Sequence, residues 1–291
     1  MKIRVQQNFF ALFYAPLYVA NRRGHFAEAG IELDLATGLM PIDNARGVAD
    51  GTLDLLWAGP IRVLRALELD PATPLRYIAE GVRRDPFVIV GRAPRPTFRL
   101  AEMAALRFAQ VSEVPTPWMC LCRDLRDGGI NPDTITRLPD ATMAENAARL
   151  RRGEVDAIQV FEPFVSELEQ SGVGHVWYEA ATRGPNAYSG FVGPASLLAQ
   201  HPELVTRLRR AMNAALRWTR AEPAAAVAAV LAPDFPAVPL DMIQRAVARY
   251  QRLNIWADTS LPDPVGLTRL AGMAQSFGLI REIPPASNVF A

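Results

Sequence analysis

The chain has 291 residues, half of them apolar and 21% charged, with 31 basic side chains against 30 acidic. That composition excludes a disordered, collagen-like or disulfide-scaffold protein, and the length points to two lobes or one large α/β unit. A net charge of +1 supplies no broad basic face, so nucleic acid is not an expected partner.

In chain order, Lys2–Gln7 alternates apolar and polar residues, which predicts a strand. A loop over Phe9–Phe13 leads into a helix that Pro16 opens in its first turn and Gly24 closes. Strands are expected at Ile31–Leu35, Leu53–Trp57, Leu75–Ala79 and Pro86–Gly91, with helices at Asp43–Asp50 and Ile61–Leu67 between them. Pro94 and Pro96 mark a change of unit. Beyond them a helix at Leu100–Ala104, a strand at Leu106–Val111 and the loop Ser112–Pro117 precede a helix from Trp118 to Asp127, stopped by Gly128-Gly129. Thr134–Leu138 reads as a strand and Thr142–Arg152 as an amphipathic helix. Val155–Val160 reads as a strand, and Phe161-Glu162-Pro163-Phe164 as a loop into a helix reaching Ser171. Val176–Tyr178 and Tyr188–Val192 are the last strands, and from Pro194 onward the chain is nearly all helix. Strands alternating with helices predict an α/β protein with mainly parallel sheets flanked by helices.

Lys2 and Arg4 before the apolar stretch Phe9–Ala20 imitate a signal peptide, but Gln6, Gln7 and Asn8 interrupt it and Pro16 breaks it. The chain is expected to be either a mature periplasmic protein or a cytoplasmic one. The apolar run Ala224–Ala232 falls short of the roughly 20 residues that cross a bilayer. Lys2 is the sole lysine, so a lysine Schiff base has no internal residue to use. Cys120 and Cys122 are too close for an unstrained disulfide and have no second pair for a metal site, so they read as buried thiols. His25, His175 and His201 lie far apart in sequence. No metal or cofactor is expected, and no nucleophile-elbow, zinc-helix or P-loop motif is present.

Four stretches carry a family resemblance: Ala15–Leu35 with its "GIEL", Gly47–Gly59, Leu150–Gly172 and the helical His201–Ala226. In order and spacing they resemble the type 2 periplasmic-binding-protein fold. The branch is that of nitrate/sulfonate/taurine solute-binding proteins and pyrimidine-precursor proteins of thiamine biosynthesis. The resemblance implies two lobes, one from residues 1–90 and 190–291 and the other from 91–189, joined by two hinge crossovers. It also implies a ligand cleft between them, at the loops that follow the strand ends. The branch resembles the fungal hydroxymethylpyrimidine phosphate synthases too, but their catalytic groups are missing. Ala58 and Arg62 stand where that family carries lysine and histidine. Asn186–Gly193 holds no cysteine, and Ser112–Thr116 replaces the glycine-rich phosphate loop.

The strand-end loops supply the expected site: Asn8, Phe9, Tyr14, Met40, Trp57, Ala58, Ser112, Glu113, Thr116, Trp118, Phe161, Glu162 and Tyr188. Flat ligands stack on such rings, each contact contributing about 0.5–1.5 kcal/mol beyond area burial; Phe10 and Phe13 read rather as core. Amides of Ser112–Thr116 at a helix start suit an anion. Glu113 would repel one unless it caps a helix, and Thr116 competes as a plain N-cap. Glu162 is expected to accept a hydrogen bond from an amino group or ring N–H, its rival role being a salt bridge to an arginine. Replacing Trp57 or Glu162 is expected to weaken binding at least tenfold. Arg62, several residues into a helix, ranks behind these. The sequence thus points to a monomeric, non-catalytic substrate-binding protein of an ABC importer, closing on a flat heterocycle like a thiamine pyrimidine precursor, with a transporter permease as partner. The alternatives are a cytoplasmic sensor, a lyase using Glu113 and Glu162, and a sulfonate or nitrate binder.

Overall fold

Lys2–Gln7 (β1) forms as its alternation predicts: Ile3 and Val5 are buried, while Arg4 turns outward and pairs with Asp54 at 2.9 Å. β1 lies between Glu32–Thr37 (β2) and Leu55–Ala58 (β3), parallel to both. Ser189–Pro194 (β10) and Leu75–Val82 (β4) complete a sheet of order β2-β1-β3-β10-β4, with β10 antiparallel to both neighbours. The second sheet joins Val88–Gly91 (β5), Arg107–Ala109 (β6), Thr136–Arg137 (β7), Ala157–Val160 (β8) and His175–Glu179 (β9) in the order β7-β6-β8-β5-β9. Here β5 is the antiparallel strand. The computed structural model describes residues 1–37, 47–48 and 51–291. Met40 and most of the expected helix at Asp43–Asp50 therefore lie outside the described residues.

Each sheet keeps four strands in one direction and one reversed, so the mainly parallel expectation gains one exception per sheet. The reversed strand is the one on which the chain arrives from the other sheet. Forward strands end at the joint between sheets; an arriving chain starts there and runs away from it. The sheet change falls between Val82 and Val88, so β5 joins the second sheet, a few residues ahead of the expected boundary at 90/91.

The helices are Ala15–Arg22 (α1), His25–Glu28 (α2), Ile61–Leu69 (α3), Thr116–Asp127 (α4), Met143–Arg152 (α5), Phe164–Gln170 (α6), Ala195–Gln200 (α7), Glu203–Ala221 (α8), Ala224–Leu231 (α9), Leu240–Arg252 (α10), Pro264–Ser276 (α11) and Ala286–Val289 (α12). The short α2 is absent from the sequence reading; Gly24 at φ +77° both ends α1 and starts it. The helix expected at Leu100–Ala104 is a 3-10 helix over Leu100–Ala105. No helix among the described residues is long and apolar enough to cross a membrane.

Strand β3 is buried on both faces, and its alternation sorts side chains into two cores. Leu55 and Trp57 pack with α1 and α8, whereas Leu56 and Ala58 pack with α3 and α11. The two crossovers are laced together. Asn186 N–H donates to Arg83 O and Tyr188 N–H to Val82 O, both at 2.9 Å, and buried Arg183 pairs with Asp85 at 2.9 Å and with Asp124.

Candidate functional site

A cavity of about 540 Å³ opens where the ends of β1 and β3 face the start of α4. Such a volume suits a small organic ligand. Its wall on the first-sheet side includes Asn8, Phe9, Phe13 and Tyr14, then Ala58 and Gly59, then one face of α3 carrying Ile61, Arg62, Arg65 and Ala66. The second sheet contributes Glu113, Val114, Pro115 and Thr116, and the crossovers add Phe87, Tyr188 and Ser189. Gly59 is required here because a Cβ at that position would lie 2.6 Å from the Tyr188 carbonyl oxygen.

The aromatic lining is a connected cluster. Phe9 stacks on Tyr14 (5.9 Å between centroids, 13°) and on Phe161 (5.8 Å, 23°), and Phe13 meets Tyr14, Phe161 and Tyr188 edge-on. Edge-to-face and offset pairs of this kind fix ring planes, so the exposed ring faces are rigid. Tyr14 is hydrogen-bonded to Ser189, and burial pushes its phenol well above the usual range. Burial does the same to Tyr188, whose hydroxyl has no partner among the described residues.

Arg62 and Glu113 are charged side chains of this lining. Arg62 is half-buried, no carboxylate pairs with it among the described residues, and burial pulls its pKa down, with only the Tyr14 phenol opposing. Glu113 places Oε1 2.8 Å from the Met143 N–H, capping the start of α5 alongside Thr142, while its buried Oε2 has no partner among the described residues. The starts of α3 and α4 both line the cavity, and their first-turn amides add positive potential beside Arg62. A half-buried cation without a counter-ion is costly in an apolar wall, so the arrangement favours an anionic group supplied from outside.

Of the residues expected from sequence, the structure gathers Asn8, Phe9, Tyr14, Ala58, Glu113, Thr116 and Tyr188 in the cavity wall. Phe161 stands one ring behind Phe9. Trp57 is turned away: it is fully buried on the opposite face of β3, against Phe191 and Gly81, because its neighbour Ala58 takes the cavity side. Trp118 packs on Phe108 beneath the Arg137 guanidinium, on the core side of α4. Ser112 is exposed, and its N–H donates to Ala141 O. Thr116 makes no capping bond of its own. Glu162 is fully buried but outside the wall. Its carboxylate accepts from Ser166 N–H and Oγ and from Arg249 Nε at 2.6 Å, so the rival salt-bridge role is the one observed. Sequence reasoning ranked Arg62 behind the others and read Phe13 as core; Phe13 is buried in the core as expected, and both residues also border the cavity. The spacing Ile61, Arg62, Arg65, Ala66 on one helical stripe was the signal available for α3.

Both thiols are buried and pushed up, Cys120 to about 12 and Cys122 to about 11, and Cys120 Sγ accepts a long bond from Asn186 Nδ2. Neither has the lowered pKa of a reactive cysteine.

Residues 13–226 match the family described as "NMT1/THI5 like". The "Putative binding protein YtlA" of Bacillus subtilis (strain 168) is 23% identical over 266 residues, covering 91% of this chain and 78% of that protein. Among solved structures, the alkanesulfonate-binding protein SsuA from Xanthomonas axonopodis pv. citri, bound to MOPS, superposes with a TM-score of 0.74 at 18% identity, over 99% of this chain and 98% of that one. The desulfurization enzyme DSZB superposes at 0.73 and 19% identity, over 99% and 96%. The fold is thus one that hosts both binding proteins and an enzyme, and the chain belongs to the NMT1/THI5-like family.

Proposed function

We propose that this chain is the substrate-binding protein of an ABC importer, working in the periplasm, and that its ligand is a small molecule carrying a planar or compact ring and an anionic group. The carrying observation is Arg62, a half-buried cation in the cavity wall with no carboxylate partner among the described residues. The aromatic wall of Phe9, Tyr14 and Tyr188 supplies ring contacts, and the starts of α3 and α4 supply amides to the anion. The bound sulfonate of the Xanthomonas relative supports the same chemistry. The lobes are the two sheets with their helices, hinged at residues 83–87 and 180–188, and closure on the ligand draws on contacts made only in the closed form. The role is binding without turnover: both thiols are buried in the core, and Glu113, the sole carboxylate among the described residues of the wall, is engaged at the start of α5.

A second reading rests on Glu113. Its unpartnered Oε2 suits an N–H donor, as an aminopyrimidine related to thiamine precursors would offer. Calorimetry with MOPS, taurine, nitrate and an aminopyrimidine separates the two. Ring-bearing sulfonates are expected to bind, and Arg62→Ala to weaken them at least tenfold, about 1.4 kcal/mol. Aminopyrimidine binding that survives Arg62→Ala but is lost in Glu113→Gln would establish the second reading. Conversion of any ligand, followed by mass spectrometry, would make the protein an enzyme.

A further inference from the structure

We infer that the ion cluster between α6 and α10 is a latch between the two lobes, which favours their closed arrangement from outside the ligand cavity. This rests on the reading of the two sheets as hinged lobes. Arg249 of α10 meets Glu162 at 2.6 Å, Glu179 at 3.2 Å and Glu169, and Arg252 Nη1 donates to Glu179 at 3.0 Å. Tyr250 beside them accepts from Glu162 N–H at 3.0 Å. Both cations stand on α10, which packs on α9 and on the turn at Leu12–Tyr14, among the elements of the first sheet. All three carboxylates belong to the second: Glu162 follows β8, Glu169 lies on α6 and Glu179 ends β9. None of the five side chains lines the cavity, so the cluster acts whether or not a ligand is bound.

The segregation of sign decides what happens when the lobes part. Arg245, Arg249 and Arg252 share one face of α10, and Arg245 has no carboxylate partner among the described residues. Glu169 and Glu179 pair with no other cation among the described residues, so parting leaves cations beside cations and carboxylates beside carboxylates. A groove of about 550 Å³, whose lining includes Ser166, Glu169, Gln170 and the three arginines, brings water and dissolved ions to the cluster. Glu169 is 39% exposed and Arg252 57%, so salt weakens these pairs. A second helix pair that joins the sheets has different chemistry. Met119 and Cys120 of α4 share an apolar core with Leu267, Leu270 and Ala271 of α11, which charge screening does not touch.

The test is the distance between nitroxide labels at Glu32→Cys on β2 and Thr136→Cys on β7, read by double electron–electron resonance on the full chain. Both positions are exposed, on the edge strands farthest from the crossovers. The native thiols are buried, so labelling goes to the introduced ones. Raising sodium chloride from about 0.01 M to about 1 M, where the Debye length falls from about 30 Å to about 3 Å, is expected to bring up a longer-distance component. Glu169→Gln combined with Arg252→Gln is expected to raise the ratio of long to short distances about fivefold at low salt, as loss of two partly exposed pairs gives. That variant is also expected to lose the salt response. Should it fail to fold, Glu169→Gln alone takes its place. Two distance populations that neither salt nor the variant redistributes leave the hinge standing and overturn the latch. A salt response that the variant retains in full also overturns it. One narrow distance under every condition overturns the hinge reading and the latch with it.

Discussion

Two half-buried arginines show how this fold uses charge. Arg249, on α10, reaches across to the second sheet's elements and meets Glu162 at 2.6 Å, Glu179 at 3.2 Å and Glu169. Arg62, on α3, faces the cavity and meets no carboxylate among the described residues. Where the protein completes its own ion cluster, the residue ties the two sheets together. Where it leaves the cation open, the proposed ligand supplies the missing anion. Glu80 stands between these cases: one oxygen accepts from Arg83 Nε at 3.0 Å, the other has no partner, and burial raises its pKa to about 7.

The comparison breaks most visibly at Arg249. Arg249→Met strands the buried Glu162 carboxylate, and breaking a buried pair from one side costs about 3–5 kcal/mol. Thermal melts are expected to fall by roughly 10 °C. A melt within a degree or two of wild type would dissolve the distinction between the clusters.

Next in size is a pH effect at Glu80. Its folded-state pKa lies above the ordinary 4.5, so the folded form binds the proton more tightly. Its contribution is therefore fully present below about 4.5 and is lost as pH rises through about 7, worth roughly 3 kcal/mol. Denaturant melts of wild type and Glu80→Gln between pH 4.5 and 8 isolate it. Wild type is expected to lose stability relative to the variant as pH rises, and parallel curves would remove Glu80 as the cause.

Arg62→Ala is expected to do the reverse of Arg249→Met, leaving the melt nearly unchanged while anion affinity falls at least tenfold. A large melt shift with intact binding would exchange the roles of the two arginines. The smallest effect belongs to Glu113→Gln, which keeps an acceptor for Met143 N–H and removes a negative charge from the cavity wall. Anion binding is expected to tighten by a few-fold, read by calorimetry at low salt where screening is weak.

Much of the fold was legible. Alternation located β1, Pro16 and Gly24 bounded α1, and the amphipathic pattern over Thr142–Arg152 located α5. The aromatic loop after β1 and the Ser112–Thr116 turn could be read as cleft-facing because strand ends meet there. Trp57 could not. A four-residue strand buried on both faces shows no polar alternation, so nothing in the sequence says whether Trp57 or Ala58 looks into the cavity. Glu162 failed differently: its partner Arg249 is 87 residues away, and pattern reading has no access to such a pair.

The sequence by itself determined the α/β class, the order of elements and the family resemblance, because these follow from periodicities of 2 and 3.6 and from turn residues. Only the tertiary structure decided which arginine is neutralised and which is left open. Charge pairing depends on distance in space, and two guanidinium groups that each sit on an amphipathic helix become an ion-paired brace or an open cation according to what the fold brings within 4 Å of them.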